Sequence, residues 1–132
     1  MAASYPLLKD FGSVSTLTQA TEASDNMPSP ETLFEVVSKL NKRIRVSKSY
    51  WDYIVSVKHP SMYGLQGSVK SSLIEPFEIR RSKRDPSVHL YYGKFRSRLL
   101  CCTVVKFLNG DGFIITAYLT RRMVGDSVWK EK

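Results

Sequence analysis

At 132 residues and 42% apolar content, the chain has room for one domain with a hydrophobic core, plus a tail. Its formal net charge of +8 favours a polyanionic partner, nucleic acid before an anionic membrane surface. No run of about 18 apolar residues occurs, so no membrane-spanning helix is expected.

The charge is unevenly spread. Residues 1–31 hold one basic residue, Lys9, and four acidic ones, Asp10, Glu22, Asp25 and Glu31. Residues 32–132 hold the other 19 basic and 8 acidic residues, a balance of +11. The stretch "SVSTLTQATEASDNMPSP" is rich in Ser, Thr, Ala and Pro and has little periodicity, so residues 1–30 are expected to form a flexible N-terminal tail. No basic region followed by an apolar run occurs there, so no signal peptide is expected and the chain is assigned to the cytoplasm. The domain is expected over residues 31–132.

It opens with "LFEVV" (33–37) and "RIRVS" (43–47), two β-rich segments around the turn "SKLNK", which predict a hairpin. Next, Trp51, Ile54, Val55 and Lys58 fall at helical spacing in "KSYWDYIVSVK", with Ser49 and Asp52 as a capping box. Pro60 ends that helix near His59. "GLQGSVKSSLIEP" predicts a second helix closed by Pro76. Strands follow at 77–82, 88–95, 98–108 and 112–120, the last two joined by the turn "NGDG". The order predicts an α+β domain: an N-terminal β-hairpin, then two helices packed on a roughly four-stranded antiparallel sheet. The sheet face away from the helices is expected to be open for binding.

The two cysteines, Cys101 and Cys102, are neighbours. A disulfide between adjacent residues is strained, so both are read as free thiols. With only His59 and His89 besides, no zinc spacing arises, and no carboxylate cluster suits magnesium. No metal or other cofactor is expected.

The site reading starts from "GFIITAYLT". Alternation puts Ile114, Thr116, Tyr118 and Thr120 on one side, running into Arg121 and Arg122. "EIRRSKRDP" adds Arg80, Arg81, Ser82, Lys83 and Arg84, and "LYYGKFRSR" adds Tyr92, Lys94, Arg96 and Arg98. Arginines grip phosphates and aromatic rings stack on bases, so cations, rings and hydroxyls on one sheet face suit an RNA strand. Alternation selects Arg80 over Arg81 for that face, because Arg81 shares its side with Phe77 and Ile79. His59 is the best general acid or base in the chain. Metal-free RNA cleavage needs a base for the 2′-OH, an acid for the leaving oxygen and cations for the phosphorane.

The ordered set "YWDYIVSVKHPSM", "EPFEIRRSKRDP", "LYYGKF" and "VVKFLNGDGFIITAYLTRRMVGDSVWK" resembles a phage- and toxin-associated branch of the barnase/EndoU/colicin/RelE-like (BECR) nuclease superfamily, over about residues 33–130. The resemblance implies a compact fold of two helices against an antiparallel sheet and endoribonuclease chemistry leaving a cyclic phosphate. It matches His59 to the family's His after the first helix, Arg80 and Ser82 to a polar strand, Tyr92 to an aromatic strand, and Thr116, Tyr118 and Thr120 to the last strand.

The combined expectation is a small cationic, metal-independent endoribonuclease, toxin-like or mobile-element-associated. Its catalytic set is His59, Arg80, Thr116 and Tyr118. Arg81, Ser82, Tyr92, Lys94, Thr120 and Arg121 would hold RNA. An acidic antitoxin or inhibitor protein is a further candidate partner. The alternative is a non-catalytic RNA-binding module on the same fold. A protein-interaction module fits the basic domain less well unless its partner is acidic.

Overall fold

A computed structural model of the chain describes residues 31–132, and the tail assigned to residues 1–30 lies outside the described residues. Strands β1 (Thr32–Val37) and β2 (Arg43–Ser47) pair antiparallel and bury Phe34, Ile44 and Val46. Ser47 then caps helix α1 (Lys48–Tyr53), its Oγ accepting the Tyr50 N–H at 3.1 Å. The cap is thus Ser47 rather than the Ser49–Asp52 box, and the helix starts directly from the strand. After α1 the backbone widens into a π-turn (Ile54–Lys58), whose His59 N–H reaches the Ile54 carbonyl at 2.8 Å. Pro60 holds His59 in an extended conformation, with φ −144° and ψ 82°. A 3₁₀ turn (Pro60–Met62) leads on to α2 (Gln66–Ile74).

Five more strands follow: β3 (Glu78–Arg81), β4 (Val88–Arg96), β5 (Leu99–Leu108), β6 (Asp111–Thr120) and β7 (Asp126–Lys130). The β5–β6 turn takes Asn109 and Gly110 through positive φ (52° and 88°), the left-handed pair that a tight hairpin demands. All seven strands form one sheet, ordered β1-β2-β6-β5-β4-β3-β7. Every neighbouring pair is antiparallel except β2 and β6, which run parallel at Ile44↔Gly112 and Arg45↔Phe113. The expected four-stranded antiparallel sheet with a separate hairpin is therefore corrected. The domain is α+β with two helices, but its sheet is mixed and seven-stranded, because the hairpin joins through β2 and a seventh strand joins through β3.

Trp51, Ile54, Met62, Val69 and Leu73 pack on Ile79, Tyr91, Cys101, Val105, Ile114 and Ala117 to form the helix-side core. Close approach is enforced at one point: a Cβ on Gly93 would lie 2.8 Å from Ser72 Cα of α2. Ser72 is held there by Thr103, the two hydroxyls lying 2.7 Å apart.

The other face is not open. Val88, Leu90, Tyr92, Cys102, Val104 and Ile115 are buried yet stand apart from the helix-side cluster. The β6–β7 connection explains part of this. Asp126 is level with Ile114 through β3, β4 and β5, so on a flat sheet Thr120 and Asp126 would be about 28 Å apart. Six backbone steps reach only about 21 Å. The sheet must therefore curl towards this face, and residues 121–125 strap across it. Val124 N–H donates to the Tyr92 hydroxyl at 3.0 Å, and Arg80 Nη1 donates to the Gly125 carbonyl at 3.4 Å.

Candidate nucleic-acid interface

The parallel pairing of β2 to β6 stops at Phe113. Just beyond it, β6 carries a bulge: Val105 pairs with Ile114 and Val104 with Thr116, leaving Ile115 over. The Ile115 carbonyl accepts from the Tyr50 hydroxyl at 2.9 Å and from Lys58 Nζ at 3.0 Å. Lys58 Nζ also donates to the Tyr50 oxygen at 3.2 Å. The π-turn thus docks on the sheet edge that β2 leaves. One residue on, the His59 ring packs on Tyr118, centroids 5.4 Å apart and planes tilted by 37°.

Tyr118 pairs across the strands with Cys102, and Cys102 with Tyr92, so the three share the concave face. The Cys102 sulfur hydrogen-bonds both tyrosine hydroxyls. His59 therefore reaches round the sheet edge from the helix side to the concave side. Burial lowers the His59 pKa, and the Lys58 charge lowers it further, so the imidazole is neutral at pH 7. Burial likewise lowers Lys58. It raises Tyr50 to about 12, aided by neighbouring Tyr53, so this hydroxyl stays protonated.

The structure separates the other residues expected in the site. Thr116 is 2% exposed and its hydroxyl has no hydrogen-bond partner in the protein. A hydroxyl sealed from solvent cannot touch a phosphate, so Thr116 leaves the catalytic set. Arg80 does face the concave side, but its Nε is 2.8 Å from the buried carboxylate of Glu78. It neutralises that carboxylate instead of offering a free charge. Tyr92 is fully buried and its hydroxyl is taken by Val124, so its ring cannot stack on a base. Ser82 accepts the N–H groups of Arg84 and Asp85 and shapes the β3–β4 turn. Arg81 is exposed at the far end of β3, paired with His89 across the strands. Thr120 bonds the backbone of Arg122 at the start of the strap.

His59, Tyr118, Lys94 and Arg121 remain. Lys94 and Arg121 line one cleft at the β4–β5 hairpin. Leu100, also in that cleft, pairs with both Lys94 and Thr120. Arg121 follows Tyr118 by three residues, so the cleft begins about 10 Å along the chain from the tyrosine on which His59 packs. Sequence reasoning missed Lys58, Tyr50 and Glu78. Lys58 carried a signal in its place beside His59, whereas a buried Glu in "FEIRR" left none.

Both thiols are free and buried, and burial pushes each up, so neither is a ready nucleophile. Among the described residues no group of three His, Cys, Asp or Glu side chains could hold a metal ion. No helix among them is long and apolar enough to cross a membrane. No protein-family model, curated protein or solved structure matches the chain.

Proposed function

We propose that the chain is a metal-independent endoribonuclease of the BECR-like kind, acting on RNA at the rim where His59 meets Tyr118. The observation that carries this reading is the His59–Tyr118 pair itself: a neutral imidazole, stacked and partly exposed, beside a cationic cleft. In the proposed step, His59 takes the proton of a ribose 2′-OH. The 2′-oxygen bonds to phosphorus, the bond to the 5′-oxygen breaks, and the leaving oxygen takes a proton from water. A 2′,3′-cyclic phosphate and a 5′-hydroxyl result. Burial, with the Lys58 charge beside it, keeps the imidazole unprotonated and so free to accept that proton. Tyr118 is a positioning residue, its ring against His59 and its hydroxyl tied to Cys102. Cations of the cleft offset the charge on the phosphorane.

The second reading is an RNA-binding module without catalysis. It is favoured by one observation: Arg80 and Thr116, both expected in the catalytic set, are withdrawn into an ion pair and into the interior. Incubating the protein with total RNA in EDTA separates the two. Discrete cleavage products are expected, and intact RNA bound by the protein would favour the module.

A further inference from the structure

The β4–β5 hairpin encloses an open cleft of about 690 Å³, lined by Phe77, Phe95 and Leu100 and by four cationic side chains, Lys94, Arg96, Arg98 and Arg121. All four cations are exposed. Several basic side chains elsewhere on the sheet have carboxylate partners: Arg43 and Arg45 meet Asp111, Arg80 meets Glu78, and Lys106 meets Asp85, while Arg81 and Lys130 stand singly on β3 and β7 with no ion pair among the described residues. In the cleft, Lys94 has Glu131 at 3.6 Å, but Arg96, Arg98 and Arg121 have no carboxylate partner among the described residues. Three unpaired guanidinium groups around one concavity repel one another until an anion enters.

The backbone adds a second observation. Arg98 sits at φ 59°, a left-handed position where Gly or Asn is the low-cost choice. An arginine there is held at a conformational cost in the turn that rims the cleft. The cleft also has rings for bases. The Lys94 ammonium lies 5.1 Å from the Phe77 ring centre, and the Arg96 guanidinium 5.3 Å from that of Phe95. A planar guanidinium on a ring offers a platform for a base as well as a grip for a phosphate.

We infer that this cleft is the subsite holding the single-stranded RNA segment next to the scissile bond, with Arg96, Arg98 and Arg121 on its phosphates. The inference rests on the RNA reading of the His59 rim, from which the cleft is one short step along β6. It adds the ligand class, single-stranded rather than duplex RNA, because an unpaired base is needed to enter beside the rings. It also places Arg96 and Arg98, which lie outside the residues expected to hold RNA, on the RNA phosphates beside Arg121.

The test is anisotropy titration of a labelled single-stranded RNA 12-mer at several salt concentrations, with the full chain. An Arg96→Gln/Arg98→Asn variant keeps hydrogen-bonding side chains and a residue tolerant of positive φ at 98. It should weaken binding roughly tenfold or more and reduce the slope of log K against log salt by about 1.4, at about 0.7 per lost phosphate contact. A Lys83→Gln/Arg84→Gln variant removes the same charge from the β3–β4 turn and should leave the slope nearly unchanged. A duplex of the same sequence should bind more weakly than the single strand. Equal losses from the two variants, or no loss from the cleft pair, would overturn the subsite while leaving the RNA reading intact. No binding of any RNA by the parent at low salt would overturn both. Loss of binding in the cleft variant from a parent that never cleaves would keep the cleft as a single-stranded RNA site but overturn its placement beside a scissile bond, together with the nuclease reading.

Discussion

Replacing Gly93 with alanine tests the packing that fixes the sheet under α2. The added Cβ would sit 2.8 Å from both Cα and Cβ of Ser72, well inside contact distance, and Cα is backbone that cannot rotate away. Nor is Ser72 free to retreat. Its hydroxyl donates to the Val69 carbonyl at 2.7 Å and lies 2.7 Å from that of buried Thr103. The helix must therefore lift from β4. Overpacking of this kind costs about 1–3 kcal/mol. If the Ser72–Thr103 bond breaks, a buried hydroxyl left unpaired adds about 1–3 kcal/mol. A total of roughly 2–6 kcal/mol lowers Tm by on the order of 10–30 °C in a domain near 100 residues. Thermal melts by circular dichroism measure it. Gly67→Ala is the matched control on α2, where no atom lies within 4 Å of the added Cβ, and should stabilise by about 0.5–1 kcal/mol. A Gly93→Ala protein melting within a degree or two of the parent would show that α2 does not rest on β4 as described.

Thr116→Val should raise Tm by about 4–8 °C, since it removes a buried hydroxyl without a protein partner, worth about 1 kcal/mol, and should leave RNA cleavage unchanged. Lower activity with unchanged stability would return Thr116 to the site. Glu78→Gln should cost about 1–2 kcal/mol in chemical denaturation by weakening the charge-assisted bond to Arg80, with RNA affinity unchanged or improved as Arg80 is released. Acidification should destabilise the fold from about pH 6.5 downward: burial lowers the pKa of both His59 and His89, so the unfolded chain binds more protons there than the folded one. Stability should be level with respect to these histidines above that pH, and urea midpoints measured from pH 8 to 5 would show the break. With His59 acting as base, cleavage should rise with pH through the same lowered pKa and level off before pH 7; an activity maximum at pH 5 would contradict the role.

The elements written in local chemistry were legible. Asn109 and Gly110 announced their turn, Pro76 bounded α2, and the apolar runs of β4, β5 and β6 read as strands. What depended on distant partners was not. Simple alternation along β6 grouped Ile115 with Ala117, but the bulge shifts the phase, so Ile114 and Ala117 enter the helix-side core and Ile115 does not. The parallel contact of Ile44 with Gly112 joins residues far apart in sequence, and no local pattern encodes it. "DSVWK" is a short edge strand with only Trp129 partly buried, too weak a pattern to announce β7. The site divides along the same line. His59 and Tyr118 carried their chemistry in their side chains, and the structure brings them together. Arg80, Tyr92 and Thr116 had suitable side chains too, but Glu78, the strap and burial claimed them.

The central claim is that His59 does chemistry on RNA rather than merely packing on Tyr118. The most direct measurement compares the parent with His59→Ala on a single-stranded RNA in EDTA, following the rate, the affinity and the ends of the products together. The account predicts parent cleavage with 2′,3′-cyclic phosphate ends. It predicts a loss of about 10²–10⁴-fold in rate for the variant at nearly unchanged RNA affinity. Equal cleavage by the two proteins, or an intact substrate bound equally by both, would contradict it.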